Sequence, residues 1–179
     1  YEFIGELVER ENIDCHFEQR GRFVGAFSKA HYPNLVKKAA FLNELLQMDA
    51  AMVPPEAQRS EIGSDFYHGG MTINRAGKLH PSMFHKGLLD ACHRAGVTLC
   101  AHTKVNGIEG AKGRFAVKTA KGDCTAEQVI IATNGHTGGL TPKLRKRLVP
   151  ISSQIIVTEE LPEDLALELI PNGRTISET

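Results

Sequence analysis

The sequence predicts an α/β fold with α+β character, because helical periodicity alternates with short strand patterns along the chain. Residues 81–95 have an apolar stripe at helical spacing, with Pro81 at the start and Gly96 just past the end. Glycines divide residues 105–127 into three short alternating segments, which indicates a β-meander. The apolar run 128–132 is typical of a central strand that is buried on both faces. The chain therefore combines a parallel-sheet pattern with an antiparallel one.

Two further helices are predicted in the first third of the chain. Residues 2–11 have apolar side chains spaced for one face of a helix. A longer helix is predicted over 29–51, with Ser28 as its N-cap, Pro33 in its first turn and Pro54-Pro55 ending it. A last, shorter helix is predicted over 162–169.

The remaining elements are predicted to be short strands. Residues 66–74 form one of them, and its Gly69-Gly70 pair indicates a kink where a backbone or a ligand approaches closely. The other strand patterns cover residues 15–19, 22–27, 97–101 and 151–158.

Composition excludes several classes of protein. Of the 179 residues, 41% are hydrophobic and 23% charged, which is typical of a globular chain and excludes a disordered one. The 21 basic residues balance 21 acidic ones, so net charge offers no argument for a nucleic-acid or membrane-surface partner. No apolar run approaches the roughly 18–20 residues that span a bilayer. Four cysteines without CxxC spacing predict free thiols in a reducing, cytoplasmic location.

Several short motifs accompany these elements in order. They are His80-Pro81, Ala95-Gly96-Val97, Thr103-Lys104-Val105, residues 129–135 and residues 150–154. With these motifs, residues 20–179 resemble the FAD-dependent oxidoreductases of the D-amino-acid oxidase and glycine oxidase type. The Ala-Thr-Asn-Gly-His-Thr sequence that begins at Ala132, followed by Leu-Thr-Pro, is most similar to the γ-glutamylputrescine oxidase branch.

The resemblance implies an enzyme that oxidises a C–N bond of a small amine or amino acid by hydride transfer to FAD. In such enzymes the cofactor supplies the chemistry and the protein orients the substrate. The family binds the FAD diphosphate through a GxGxxG motif, and the 179 residues contain none. We therefore expect an internal fragment that is inactive alone and depends on the remainder of its parent chain.

The resemblance also implies a division into domains. Residues 1–75 would be a segment of an α+β substrate domain, and residues 76–149 the later part of a Rossmann-like FAD-binding domain. Residues 150–179 would return into the substrate domain.

Candidate cofactor residues follow from the same resemblance. Val105 would place its backbone against the adenine, and Ala132, Thr133, Asn134 and Gly135 would line the adenosine and diphosphate side of FAD. Small residues after a strand let backbone N–H groups approach a phosphate or ribose closely. The alternative interpretation is that Asn134-Gly135 is a plain turn after a buried strand.

Other candidates are weaker. His68, beside Gly69-Gly70, is a candidate to face a substrate cavity. The eight histidines include no HExxH motif, so no metal site is predicted, and no catalytic residue is identified. The basic segment 143–147 is interpreted as a solvated helix face.

Two alternative functions remain open. One is a stand-alone, non-catalytic α+β module that binds a metabolite or a protein through residues 66–74 and 133–139. The other is a segment of an NAD(P)-linked dehydrogenase.

Overall fold

The computed structural model describes residues 2–111 and 113–179. They divide into two compact units: the chain up to Val97 together with Thr158–Thr179, and Thr98–Val157. The boundaries between these units fall after residues 97 and 157, whereas the predicted domain boundaries fall after residues 75 and 149. The assignment of the segments to cofactor and substrate domains stays a prediction.

Three of the predicted helices are confirmed. They are α1 (Glu2–Arg10), α3 (Pro81–Arg94) and, near the end of the chain, α5 (Glu163–Leu169). Helix α3 begins with the proline in its first turn, where the missing N–H costs no hydrogen bond. It is followed by Gly96 at φ +75°, a left-handed conformation that favours glycine. Within the described residues, no helix is both long and apolar enough to cross a bilayer.

The long helix α2 (Tyr32–Leu46) is shorter than the predicted 29–51. Its N-cap is His31 rather than Ser28, and it ends at Gln47, which takes a left-handed conformation. The early end has a local cause: the Asn43 side chain pairs with both backbone groups of Ala50, seven residues later in the chain, at 2.7 and 2.8 Å. These bonds turn the chain back so that a strand follows within four residues of the helix end.

The first unit contains a four-stranded sheet. Its strands are β1 (Arg22–Gly25), β2 (Ala50–Val53), β3 (Gly70–Ile73) and β7 (Thr175–Glu178). They lie in the order β2-β3-β1-β7; β3 pairs antiparallel with β2 and β1, and β1 pairs parallel with β7. A 3-10 helix, Pro55–Ser60, connects β2 to the segment before β3.

The core of the first unit lies between this sheet and helix α2. Leu35 and Ala39, four residues apart on α2, face the sheet, where Met71 is fully buried. The buried cluster consists of Val24, Ala26, Leu35, Ala39, Ala50 and Met71. Phe23, which alternates with Val24 along β1, is also fully buried and contacts Tyr67 edge to face at 6.2 Å between ring centroids.

The second unit contains the predicted β-meander. Strands β4 (Val105–Ala111), β5 (Arg114–Thr119) and β6 (Gly122–Ala126) pair antiparallel in chain order, which confirms the prediction. A 3-10 turn, Asn134–His136, and the short helix α4 (Pro142–Arg145) follow.

Four predicted strands are wrong. Residues 15–19 form no strand and contribute only an isolated antiparallel bridge between Glu18 and Lys78. The other three segments are apolar. Residues 97–101, 128–132 and 151–158 have no strand assignment, and the side chains of Ile130 and Ile156 are 88% and 94% exposed. An apolar pattern indicates which side chains favour burial. A strand also needs an adjacent strand to accept and donate its backbone hydrogen bonds. Among the described strands, none pairs with these three segments.

The ion pairs of the first unit predict how its stability changes as the pH falls. Hydrogen bonds from Arg10 and then Arg94 lower the pKa of Glu11, and the hydrogen bond from Arg59 lowers the pKa of Asp65. A lowered folded-state pKa stabilises the fold above the unfolded-state pKa and loses that contribution as the pH falls through the folded-state value. We therefore expect the urea midpoint to be constant near neutral pH and to fall progressively below about pH 4.

Salt provides the control for this pH prediction. Because the Asp65 side chain is exposed and that of Glu11 is only half-buried, about 1 M salt should reduce the acid-dependent change in midpoint. A midpoint that stays constant down to about pH 2, at low salt, would contradict the assignment of these ion pairs to the folded state.

Candidate cofactor-binding site

The second unit contains a cleft of about 710 Å³. One wall is the segment Thr103–Asn106, which enters strand β4. The other wall follows the apolar run 128–132 and consists of Ile131, Thr133, His136 and Gly138–Thr141. The meander and the small-residue loop, distant in sequence, therefore meet at one concave surface.

Two of the five predicted cofactor residues line this cleft, namely Val105 and Thr133. Ala132, Asn134 and Gly135 lie in the same loop but are not among its lining residues. The alternative interpretation of the loop also has a structural counterpart, because Asn134–His136 forms a 3-10 turn. A turn and a cofactor wall are compatible, and the cofactor role of all five residues stays a prediction.

Hydroxyl groups stabilise the loop wall. The Thr133 and Thr137 hydroxyls lie 2.8 Å apart, and the Thr137 hydroxyl donates to the Asn134 carbonyl at 2.6 Å. The backbone N–H of His136 also donates to the Thr133 carbonyl, at 3.0 Å. These bonds hold Asn134 at φ 43°, a left-handed conformation that asparagine tolerates better than most residues.

The opposite wall is held by the turn before β4. The Thr103 hydroxyl donates to the Ala101 carbonyl at 3.0 Å, and the Lys121 ammonium donates to the same carbonyl at 3.2 Å. The Lys104 carbonyl accepts from the backbone N–H of Ala120 at 3.3 Å. The turn between β5 and β6 therefore supports the segment that carries Val105.

The lining residues fit the adenosine diphosphate part of a dinucleotide. A Cβ built at Gly138 or Gly139 would find no atom within 4 Å, so the loop leaves open space for a ligand. Val105, Ile131 and nearby Leu140 offer apolar contact to a flat ring, and threonine hydroxyls and backbone N–H groups suit phosphate oxygens. Lys104 adds one positive charge.

Sequence reasoning missed several of these residues. Lys104, Leu140 and Thr141 line the cleft without having been predicted as site residues, whereas His136, Gly138 and Gly139 were predicted only within the 133–139 segment of the alternative binding module. Two signals were present, since Lys104 belongs to the Thr103-Lys104-Val105 motif and Gly138-Gly139 closes the small-residue loop. These residues come together only because the meander packs against the loop, and no local sequence pattern predicts that packing.

His68 lies in the first unit, in the bend before β3. It is half-buried, and its backbone N–H donates to the Ala26 carbonyl at 3.0 Å. That His68 faces a substrate cavity stays a prediction. The adjoining Gly70 does allow a close approach, but the neighbour is the backbone of β1 rather than a ligand: a built Cβ would lie 2.5 Å from the Val24 carbonyl oxygen.

The other weak candidates behave as ordinary surface. The basic segment 143–147 is exposed throughout, in agreement with a solvated helix face. Within residues 2–111 and 113–179, no three or more histidine, cysteine or carboxylate side chains group closely enough to hold a metal ion.

Comparison with known proteins places the chain in a family. Residues 1–178 match the family model described as DAO, FAD dependent oxidoreductase. The gamma-glutamylputrescine oxidoreductase of Escherichia coli K12 is 32% identical over 178 residues, which are 99% of this chain and 41% of the relative. The glycine oxidase of Bacillus licheniformis is 24% identical over 156 residues, 85% of this chain and 41% of the relative. The chain therefore spans about two fifths of the length of these curated relatives.

Solved structures agree on the fold. The glycine oxidase of Geobacillus kaustophilus superposes with a TM-score of 0.68 and 21% identity, over 80% of this chain and 39% of that one. The L-proline dehydrogenase of P. horikoshii superposes with a TM-score of 0.67 and 18% identity, over 87% of this chain and 40% of that one. The predicted fold class and the resemblance that the motifs indicated are both confirmed.

Proposed function

Because the chain belongs to the DAO family of FAD-dependent oxidoreductases, we propose that it forms part of a flavoenzyme that oxidises a C–N bond of an amine or amino acid. The observation that carries the proposal is the cleft of about 710 Å³ between Thr103–Asn106 and the small-residue loop. The names of the relatives support the substrate class, since gamma-glutamylputrescine is an amine and glycine and L-proline are amino acids.

In this proposal the cleft holds the adenosine diphosphate side of FAD. Val105 and Ile131 contact the adenine, and the backbone of residues 132–135 binds the ribose and diphosphate. The Lys104 ammonium offsets part of the diphosphate charge. When bound, FAD supplies the chemistry by accepting a hydride from the carbon beside the substrate nitrogen.

The residues of this chain then orient the cofactor and exclude water from one side of it. The GxGxxG motif through which the family binds the diphosphate is absent from the 179 residues, so the proposal gives residues 132–135 and Lys104 only part of the diphosphate contacts. The four cysteines are free and form no disulfide, and they suit the proposed cytoplasmic location.

The proposal is tested on the full-length protein. We expect it to purify with non-covalent flavin, seen by visible absorbance and native mass spectrometry, and to reduce that flavin when an amine or amino acid is added. Lys104→Glu should weaken FAD binding about tenfold, because it places a negative charge beside the diphosphate.

A matched charge reversal gives the control. Lys143→Glu changes an exposed lysine of helix α4 that does not line the cleft, and it should leave the FAD dissociation constant unchanged. If both variants weakened FAD binding equally, the cleft would not be the FAD-binding site. Full-length protein that binds no flavin and oxidises no amine or amino acid would overturn the proposed function.

A further inference from the structure

Two threonine hydroxyls connect the ends of the turn that follows the apolar run 128–132. The Thr137 hydroxyl lies 2.6 Å from the Asn134 carbonyl oxygen and 2.8 Å from the Thr133 hydroxyl. A carbonyl only accepts hydrogen bonds, so the single hydrogen of the Thr137 hydroxyl is directed to Asn134. The Thr133 hydroxyl must then donate to Thr137. The hydrogen bonds therefore run in one direction, from Thr133 through Thr137 to the Asn134 carbonyl.

These bonds act on a residue with an unfavourable backbone conformation. Asn134 has φ 43°, in the left-handed region, whereas Thr133 before it has φ −83° in the right-handed region. A left-handed residue other than glycine costs free energy and keeps its conformation only where its surroundings fix it. The Asn134 carbonyl also accepts from the backbone N–H of Thr137, at 3.1 Å. Thr137 thus holds Asn134 through two hydrogen bonds.

Thr137 itself stands behind the wall of the cleft. It is half-buried and is not among the lining residues, whereas Thr133 and His136 on either side of the turn do line the cleft. The His136 N–H donates to the Thr133 carbonyl at 3.0 Å, which closes the same turn. A change at the Thr137 hydroxyl can therefore alter the shape of the wall without removing a group that lines it.

We propose that Thr137 is a positioning residue for the cofactor, whose hydroxyl holds the loop in its FAD-binding conformation before FAD is present. This inference rests on the proposed function, which assigns the ribose and diphosphate to the backbone of residues 132–135. A wall that is already ordered loses less conformational entropy when a ligand binds, so the affinity is higher. Thr137 then raises the affinity for FAD without touching it.

The test measures the FAD dissociation constant of the full-length apoprotein. Thr137→Val nearly keeps the shape of the side chain and removes the hydroxyl, and it should raise the constant about tenfold because two side-chain hydrogen bonds are lost. Thr137→Ser keeps the hydroxyl and should bind FAD as the parent protein does. Thr158→Val is the control, since it removes a hydroxyl that donates to the Glu159 carbonyl at 2.8 Å in the other unit. It should leave the constant unchanged.

A variant of Asn134 tests how Thr137 acts. Asn134→Gly keeps the carbonyl that accepts the hydroxyl bond, and glycine takes the left-handed conformation without steric cost. In an Asn134→Gly protein, Thr137→Val should therefore raise the dissociation constant by less than about threefold. A purely structural role of Thr137 elsewhere in the unit predicts the same effect in both backgrounds, and that result would overturn the inference.

Amide hydrogen exchange of the apoprotein examines the loop without flavin. The N–H groups of His136 and Thr137 close the turn, and they should exchange faster in Thr137→Val than in the parent protein or in Thr137→Ser. Unchanged exchange would contradict the role of Thr137. A flavin-binding protein with equal FAD affinity in the parent and in Thr137→Val would overturn the inference and leave the proposed function standing. A parent protein that binds no flavin would overturn the proposed function, and the inference with it.

Discussion

Replacing Arg174 with alanine is expected to lower the free energy of unfolding of the first unit by about 3–5 kcal/mol. Arg174 Nε lies 2.7 Å from Glu61 Oε2, and the two side chains are only 17% and 10% exposed. The contact is an ion pair rather than an aligned hydrogen bond. The same guanidinium donates through Nη1 to the Arg20 carbonyl and to Asn74 Oδ1, both at 2.9 Å.

The size of this effect comes from what the substitution leaves behind. Without Arg174, the Glu61 carboxylate stays buried with no opposing charge, and the start of β7 loses its side-chain bonds to neighbouring segments. Urea unfolding at neutral pH measures the loss. The double variant Glu61→Leu, Arg174→Met should lose less than the single variant, because it removes both charges together.

An exposed ion pair in the same unit is the control. Arg59 and Asp65 form a hydrogen-bonded pair with side chains 64% and 69% exposed, so Arg59→Ala should cost less than about 1 kcal/mol. A loss in Arg174→Ala no larger than that in Arg59→Ala would contradict the role given to the buried pair.

Replacing Gly70 with alanine is expected to cost about 2–3 kcal/mol through overpacking. A Cβ at this position would lie 2.5 Å from the Phe23 ring and 2.5 Å from the Val24 carbonyl oxygen. The ring is fully buried, and the carbonyl belongs to β1, which pairs with β3 at this register. Neither neighbour can move aside without disturbing the core or the ladder, so the strands must separate.

Gly5→Ala is the matched control, because the same methyl group is added where there is room. A Cβ at Gly5 would lie 3.4 Å from Phe17, an ordinary contact, and alanine favours helix α1 by up to about 1 kcal/mol over glycine. This variant should unfold at the same urea concentration as the parent or a higher one. Equal midpoints for Gly70→Ala and the parent chain would show that the sheet tolerates the added methyl group.

The candidate cofactor site could be predicted only in part. The motif resemblance identified Val105 and Thr133, which line one cleft. It did not identify Lys104 or Gly138–Thr141 as site residues, because their membership depends on the packing of β4 against a loop distant in sequence. Tyr67 and Glu178 are a similar case, since their side chains meet only when β7 pairs with β1.

Helices α1, α3 and α5 and the antiparallel meander were determined by the sequence itself. Their signals are local: apolar residues at helical spacing, Pro81 and Gly96 at the ends of α3, and glycines between short alternating segments. Each of these segments forms its hydrogen bonds within itself or with its neighbour in the chain, so local chemistry suffices.

Tertiary structure decided the rest. It buried the Arg174–Glu61 pair, and it left residues 128–132 unpaired despite their apolar pattern. The physical reason is the same in each case. A helix carries its hydrogen-bonding partners within its own segment, whereas a strand, a buried charge and a concave site need partners that only the folded chain brings near.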